Sequence, residues 1–250
     1  MKQNIINYLL QLGDNSMILG HRLSELCGHG PILEVDMALS NIALDLFGQT
    51  RNYFQYAALL EGNGKTEDSY AYGRDVRGFR NTLLVEQPNE DFAYVIARQF
   101  FFDAYHKPFL EALTQSNDEQ IAAIATKSLK EVSYHLRFSS EWMKRLGDGT
   151  EESHGKMQNA VDSLWMFVYE LLEESDLDKE MAELGIGVNL NDIRPTFEKT
   201  IKEILTEVTL TIPESTWNQS GGKEGKHSEH MGFILSDFQW MQRTYPNMEW

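Results

Sequence analysis

The chain has 250 residues, 42% of them hydrophobic and 24% charged, which suits one large packed domain and excludes disorder as the main state. With 38 Asp and Glu against 22 Lys and Arg, the formal net charge is -16, and such a surface repels nucleic acid and anionic membranes as partners. The single cysteine, Cys27, has no internal disulfide partner, and the opening 15 residues are interrupted by Asn7 and Gln11 with no small-residue cleavage site behind them; the sequence therefore reads as cytoplasmic, without a signal peptide or membrane span.

Six prolines and long glycine-free stretches favour long helices. A first helix is predicted over about 4–26, with a break near Gly13, Asp14 and Asn15, and Gly28-His29-Gly30-Pro31 ends it. The second, about 33–61, places Val35, Ala38, Ile42 and Leu46 at helical spacing. The polar stretch 62–88 reads as a long connection with room for one short element, the kind of crossover that joins two helix pairs in a bundle. Asn89, Glu90 and Asp91 supply caps for a third helix ending near 114, and Ser116, Asn117 and Asp118 open a fourth that lasts to about 146. A fifth is predicted over about 154–174, with weaker helices near 178–184 and 194–208. A glycine-rich loop, 219–225, precedes a last helix over about 229–243. Only Leu210-Thr211-Ile212 has strand character, and it is too short to matter. The fold class is all-α: a single domain over 1–250, with a core bundle over about 14–175 and a C-terminal helical extension over about 176–250.

The third and fourth helices carry the chemistry. Their core-facing seams read Phe92, Ile96, Gln99, Asp103, His106, Leu110 and Ile121, Ile124, Ser128, Glu131, His135, Phe138, Trp142, apolar at both ends and polar in the middle. A related stripe on the second helix runs Ala38, Asn41, Asp45, Gly48, Asn52, with Gln49 beside it, and His21 and Glu25 on the first helix lie one turn apart. Buried carboxylates and imidazoles need partners: each other, water or metal. A bundle di-iron site takes one Glu from each of two helices and Glu-x-x-His from each of the other two. Here Asp103 and His106 keep the spacing with a shorter acid, Glu131 is followed at i+3 by Tyr134 with His135 one place further, and Asp45 is followed at i+3 by Gly48. The outline is of a metal site whose ligand pattern fails at Gly48 and Tyr134, and a hydrogen-bonded polar network is the expected content.

His227-Ser228-Glu229-His230 has two imidazoles at i,i+3, but without a companion motif its expected use is capping and packing at a helix start. Phe100, Phe101, Phe102, Tyr105 and Phe109 wrap the third helix on nearly every side, which predicts core plus a subunit interface; the segment 240–250, with its two tryptophans, is a second candidate contact.

Four stretches, 12–62, 83–106, 130–153 and 221–232, contain the blocks LDLFGQTRN, LLVEQPN, YHLRFS and GGKEGKHSEHMG. In colinear order over essentially the whole chain, they closely resemble the PaaC family of phenylacetic acid degradation proteins. The resemblance implies a ferritin-like fold and a structural subunit of the bacterial ring-1,2-phenylacetyl-CoA epoxidase, a multicomponent monooxygenase. It further implies a homologous catalytic partner that holds the di-iron centre, and a separate reductase that uses NADPH, FAD and iron–sulfur. No catalytic or cofactor-binding residue is carried onto this chain, whose metal site is expected to be a remnant at Asp45, Gly48, Asp103, His106, Glu131, Tyr134 and His135. The competing expectation is a di-metal oxygenase in its own right, using Asp45, Asp103, His106, Glu131 and His135 at unusual spacing. Iron storage is a third, disfavoured by the broken ligand pattern and the long C-terminal third.

Overall fold

The first helix runs unbroken. In the computed structural model, which describes residues 1–214, 217–246 and 248, α1 (Lys2–Ser24) passes straight through Gly13, Asp14 and Asn15. These residues make interior contacts and no turn. Gly13 lies so close to α2 (Leu33–Glu61) that a Cβ there would sit 2.4 Å from the Phe54 ring. The Asp14 carboxylate and the Asn15 amide oxygen accept from a neighbouring segment, while the Asn15 amide nitrogen donates to the Gln11 carbonyl one turn back at 3.4 Å, so neither side chain breaks the helix. The bundle therefore starts at residue 2 and not near 14.

α1 and α2 form one hairpin. The chain then crosses the bundle through α3 (Glu67–Tyr72), a 3-10 turn (Val76–Gly78) and α4 (Leu83–Glu86), more structure than the single short element expected there. α5 (Phe92–Leu113) and α6 (Glu119–Gly147) make the second hairpin, each opened by the last residue of its predicted cap cluster. Asp91 accepts from the Tyr94 N–H at 2.8 Å, and Asp118 from Gln120 and Ile121 at 3.0 Å. Two hairpins joined by one long crossover is the connectivity of a ferritin-like bundle. α7 (Glu151–Val168) begins three residues before the predicted start, because Thr150 and Ser153 form a reciprocal cap there. It continues into a 3-10 turn (Tyr169–Leu172). α8 (Asp176–Glu183), α9 (Leu190–Glu207) and α10 (Glu229–Thr244) complete the chain. Among the described residues there is no strand, and no helix is long and apolar enough to cross a membrane.

α5 is the inner helix of its hairpin, packed by α6, α7 and α9. Phe100, Phe101, Phe102, Tyr105 and Phe109 are all buried in this chain's own core. The subunit surface expected on that helix is therefore absent: the aromatic wrapping is used up internally. Of the segment 240–250, Trp240, Tyr245 and Met248 are exposed, while Asn247, Glu249 and Trp250 fall outside the described residues.

The crossover and the C-terminal extension are fastened by buried polar groups. Asp14 accepts from the Arg74 guanidinium and from the Arg80 N–H at 2.8 Å, and Asn15 accepts from the Thr82 N–H at 2.9 Å and its hydroxyl at 3.1 Å. Glu170 accepts from three backbone N–H groups: Leu83 at 2.5 Å, Gly221 at 2.9 Å and Gly222 at 2.8 Å. Its burial raises the carboxyl to about 7 in spite of those bonds. Glu86 accepts from the Ser228 N–H at 2.6 Å, from Asn81 at 3.1 Å and from His227 Nδ1 at 2.8 Å. His227 Nε2 donates in turn to the Phe79 carbonyl at 3.1 Å. Both ring nitrogens face acceptors, so the ring is an imidazolium. Burial works against that charge, but the Glu86 carboxylate outweighs it and the His227 pKa is raised. Ser228 holds the N-cap position of α10, yet its side chain makes no cap bond. The capping expected of this motif is replaced by its backbone N–H on Glu86.

Gly222 has no room for a side chain, since a Cβ would lie 2.2 Å from the Asn81 carbonyl oxygen. Gly222→Ala should lower stability by about 1–3 kcal/mol, read from the urea midpoint; an unchanged midpoint would show the loop relaxing freely. The imidazolium contributes in full below the unfolded-state value of about pH 6.5. That contribution is lost as pH rises through the raised native value, because the folded state then holds a proton the unfolded chain has released. The urea midpoint of the unaltered chain should therefore fall as pH rises above about 6.5, with a flatter profile in His227→Gln. Parallel profiles would contradict the ion pair.

Candidate metal centre

α2 and α6 run antiparallel, and three contacts fix their register: Tyr56 to Asp118 at 2.8 Å, Gln49 to Glu131 at 3.2 Å and Asp45 to His135 at 3.0 Å. This places the polar stripe of α2 against that of α6, which packs in turn on α5. Asp103 and His135 are completely buried, His106 nearly so, and Asp45 and Glu131 sit half-buried at the outer edge.

Each carboxylate is already occupied. Asp45 accepts from His135 Nε2, Glu131 from the Gln49 amide, and Asp103 from the Gln99 amide at 2.7 Å and the Ser139 hydroxyl at 2.8 Å. Burial raises Asp103 to about 7, opposed by nearby His135 and by its two donors. Burial lowers His106 to about 3, with His135 adding to the effect. Glu131 is raised as well, by burial first, with the Gln49 bond acting against it.

The i+3 positions contribute nothing. Tyr134 turns outward with the Arg137 guanidinium over its ring at 5.6 Å, and Gly48 has no side chain. On α1, His21 stacks on Phe238 of α10 at 4.1 Å and Glu25 pairs with Arg22. Neither joins the polar centre, which corrects the expectation that they add to it; His21 is drawn to the aromatic side of α10 instead. Asn41 is exposed, so α2 supplies the centre with Asp45 and Gln49. Among the described residues, no three His, Cys, Asp or Glu side chains converge in an arrangement able to hold a metal ion. The residues present do not fit a bridged pair of metals. His106 Nδ1, His135 Nδ1, Gln49 Oε1, Gln99 Oε1 and Ser128 Oγ are buried with no hydrogen-bond partner among the described residues.

Sequence reasoning placed the polar middle correctly but left Gln49 and Ser139 without the roles they hold, as donors that occupy the acids. It also passed over Glu86 and Glu170, whose signal was available: single acids inside the apolar runs Leu83-Leu84-Val85-Glu86 and Tyr169-Glu170-Leu171-Leu172.

The raised Asp103 carboxyl has a consequence for stability. A native value of about 7 means that its contribution is intact below the unfolded value near 3.8 and is lost as pH rises through 7. Asp103→Asn keeps the shape, and Gln99 can turn its partnerless oxygen to accept from the new amide. The variant should gain on the unaltered chain between pH 5 and pH 8 by on the order of 1–2 kcal/mol, measured by urea unfolding. Equal stability differences at the two pH values would contradict the buried, proton-holding acid.

The family model of phenylacetic acid catabolic proteins matches residues 1–250. The chain is 48% identical over 243 residues to the C subunit of the 1,2-phenylacetyl-CoA epoxidase of Escherichia coli (strain K12), a match that covers 97% of this chain and 98% of that protein. The all-α bundle and its closed polar centre thus belong to a chain of known descent: it is a member of the phenylacetic acid catabolic protein family.

Proposed function

We propose that this chain is the non-catalytic structural subunit of a multicomponent phenylacetyl-CoA 1,2-epoxidase, the monooxygenase of aerobic phenylacetate degradation. In this reading it works in the cytoplasm, binding and supporting a homologous ferritin-like subunit that holds the di-iron centre. NADPH, FAD and iron–sulfur belong to a separate reductase. The nearly full-length likeness to a known epoxidase subunit supports the pathway and the assembly. One observation carries the division of labour: every acid of the polar centre already accepts a hydrogen bond from a neighbouring side chain of this same chain. Metal would have to displace all of these donors, and the fold offers no Glu-x-x-His replacement at Gly48 or Tyr134.

A second reading, a di-metal oxygenase built on Asp45, Asp103, His106, Glu131 and His135, is favoured by one observation. The partnerless Nδ1 atoms of His106 and His135 are buried at the centre. Iron content separates the two. The isolated chain, loaded with ferrous iron and desalted, should retain far less than one iron. The complex with its companion should retain iron that stays with the companion when the two are separated. Close to two irons on the isolated chain, together with turnover of phenylacetyl-CoA, would overturn the structural role.

A further inference from the structure

α10 is held from one side. Its buried side chains are Met231, Ile234, Leu235 and Gln239, while Phe233 is 64% exposed, Trp240 57% and Met241 39%. Three buried apolar side chains are a small hold on a helix of 16 residues, because ordering the chain costs entropy at every position. The surface beneath is made of short pieces. α10 lies chiefly on the crossover, against α3, the 3-10 turn and α4, and reaches α1 where Phe238 stacks on His21. Few buried apolar contacts mark the part of a fold that opens first.

Polar groups supply the rest of the hold, and they fall into two sets. The first fixes the loop ahead of the helix. Glu170 takes the Gly221 and Gly222 N–H groups, and Lys223 donates to the Glu173 carbonyl at 2.6 Å and to Asp178 at 3.1 Å. The Glu224, Gly225 and Lys226 N–H groups fold back on the Gly221 and Gly222 carbonyls. The second set starts at the next residue. His227 and Ser228 both bond to Glu86, so these contacts make and break together. Lys226, at the joint between the sets, has an exposed side chain that pairs with Glu224. At the far end of α10, Gln239 donates to the Ala71 and Arg74 carbonyls at 2.8 and 3.1 Å, and Arg243 bonds to the Arg74 carbonyl and Asp75 where solvent reaches them.

The bond that begins α10 carries charge. The His227 and Glu86 side chains are fully buried. Besides Glu86 on α4, Asp14 of α1 acts on the ring, and Asp14 itself takes the Arg74 guanidinium and the Arg80 N–H. The Arg80 guanidinium lies against Gly225, bonded to the Arg77 and Phe79 carbonyls. Both ring nitrogens of His227 face acceptors. A neutral ring keeps one N–H for the two, so losing a proton sets a lone pair against an oxygen.

We propose that α10, from His227 to Thr244, is a strap that lifts off the crossover as one unit while the 219–226 loop and the bundle stay folded, with the His227–Glu86 pair as its catch. The two buried acids then divide the work: Glu170 anchors the loop, and Glu86 closes the strap. Rising pH favours the open form, since the closed form holds a proton that the open form gives up. No contact with another chain enters this inference, so it stands apart from the role proposed above.

Hydrogen–deuterium exchange of the full chain, resolved by peptide mass spectrometry and corrected for the intrinsic chemical rate at each pH, measures the opening. Peptides of α10 should be protected about a hundredfold less than those of α1 and α2, at a rate that low urea leaves unchanged, as a local opening requires. Their protection should fall by a further factor of about ten or more as pH rises above about 6.5. His227→Gln should show the weaker protection already at the lower pH and lose most of the pH dependence, with the α1 and α2 peptides reporting that the bundle remains folded. Gln239→Ala leaves the catch intact; it should loosen the last turns of α10 and keep the pH dependence, which tests the catch even if His227→Gln disturbs the bundle. Exchange of α10 at the rate of α1 and α2, or only together with the 219–226 loop, would overturn the strap. A pH response that is the same in His227→Gln as in the unaltered chain, or absent from Gln239→Ala, would overturn the catch.

Discussion

Glu86 and Glu170 lie where water does not reach them, and the arrangement of the crossover and of the C-terminal extension follows from satisfying their oxygens. A buried carboxylate without donors is among the costliest groups a fold can contain. These two are answered by backbone N–H groups and an imidazolium drawn from α4 and from the glycine-rich loop ahead of α10, segments more than 130 residues apart in sequence. The loop can approach because Gly222 presents no side chain to Asn81. Removing either acid would leave the donors unsatisfied and release two parts of the chain at once, whereas removing a surface ion pair such as Lys156–Glu152 would change little.

The polar centre between α2, α5 and α6 obeys the same rule with a different answer. A metal site of this geometry keeps its acids open for cations by supplying positive charge from the metal itself. Here the acids are answered by amides, a hydroxyl and an imidazole: Gln49, Gln99, Ser139 and His135. The centre acts as a fastening between helices. Its outer members, Asp45 and Glu131, sit half-buried between α2 and α6, so what holds those helices in register also shapes the surface a neighbour meets.

Much of this was legible in the sequence. The long helices followed from apolar spacing, and the cap clusters 89–91 and 116–118 were correctly located because capping is local chemistry, with Asp91 and Asp118 the members that cap. The polar middle of the seams and the failures at Gly48 and Tyr134 were readable from helical period alone. The break near Gly13 was misread, since glycine, aspartate and asparagine in succession signal a turn unless a neighbour uses them, and here Phe54, Arg74 and Thr82 do. The aromatic surface of α5 was misread for a related reason: a helix apolar all round is buried, but period cannot say whether its own chain or a partner buries it. The four blocks that carried the family resemblance each hold a fastening. LDLFGQTRN supplies Asp45 and Gln49, and LLVEQPN supplies Glu86. YHLRFS supplies His135 and Ser139, and GGKEGKHSEHMG supplies the donors to both buried acids.

The central claim is that the acids of the polar centre hold helices together and hold no metal. The most direct measurement is the epoxidation rate of the reconstituted complex containing Asp45→Asn/Glu131→Gln, an exchange that keeps the shape of both groups and abolishes their charge. With assembly confirmed by co-purification and the iron content of the companion unchanged, the account predicts a rate within about twofold of the unaltered complex. A fall of a hundredfold or more in an intact, iron-loaded complex would contradict it and return the centre to catalysis.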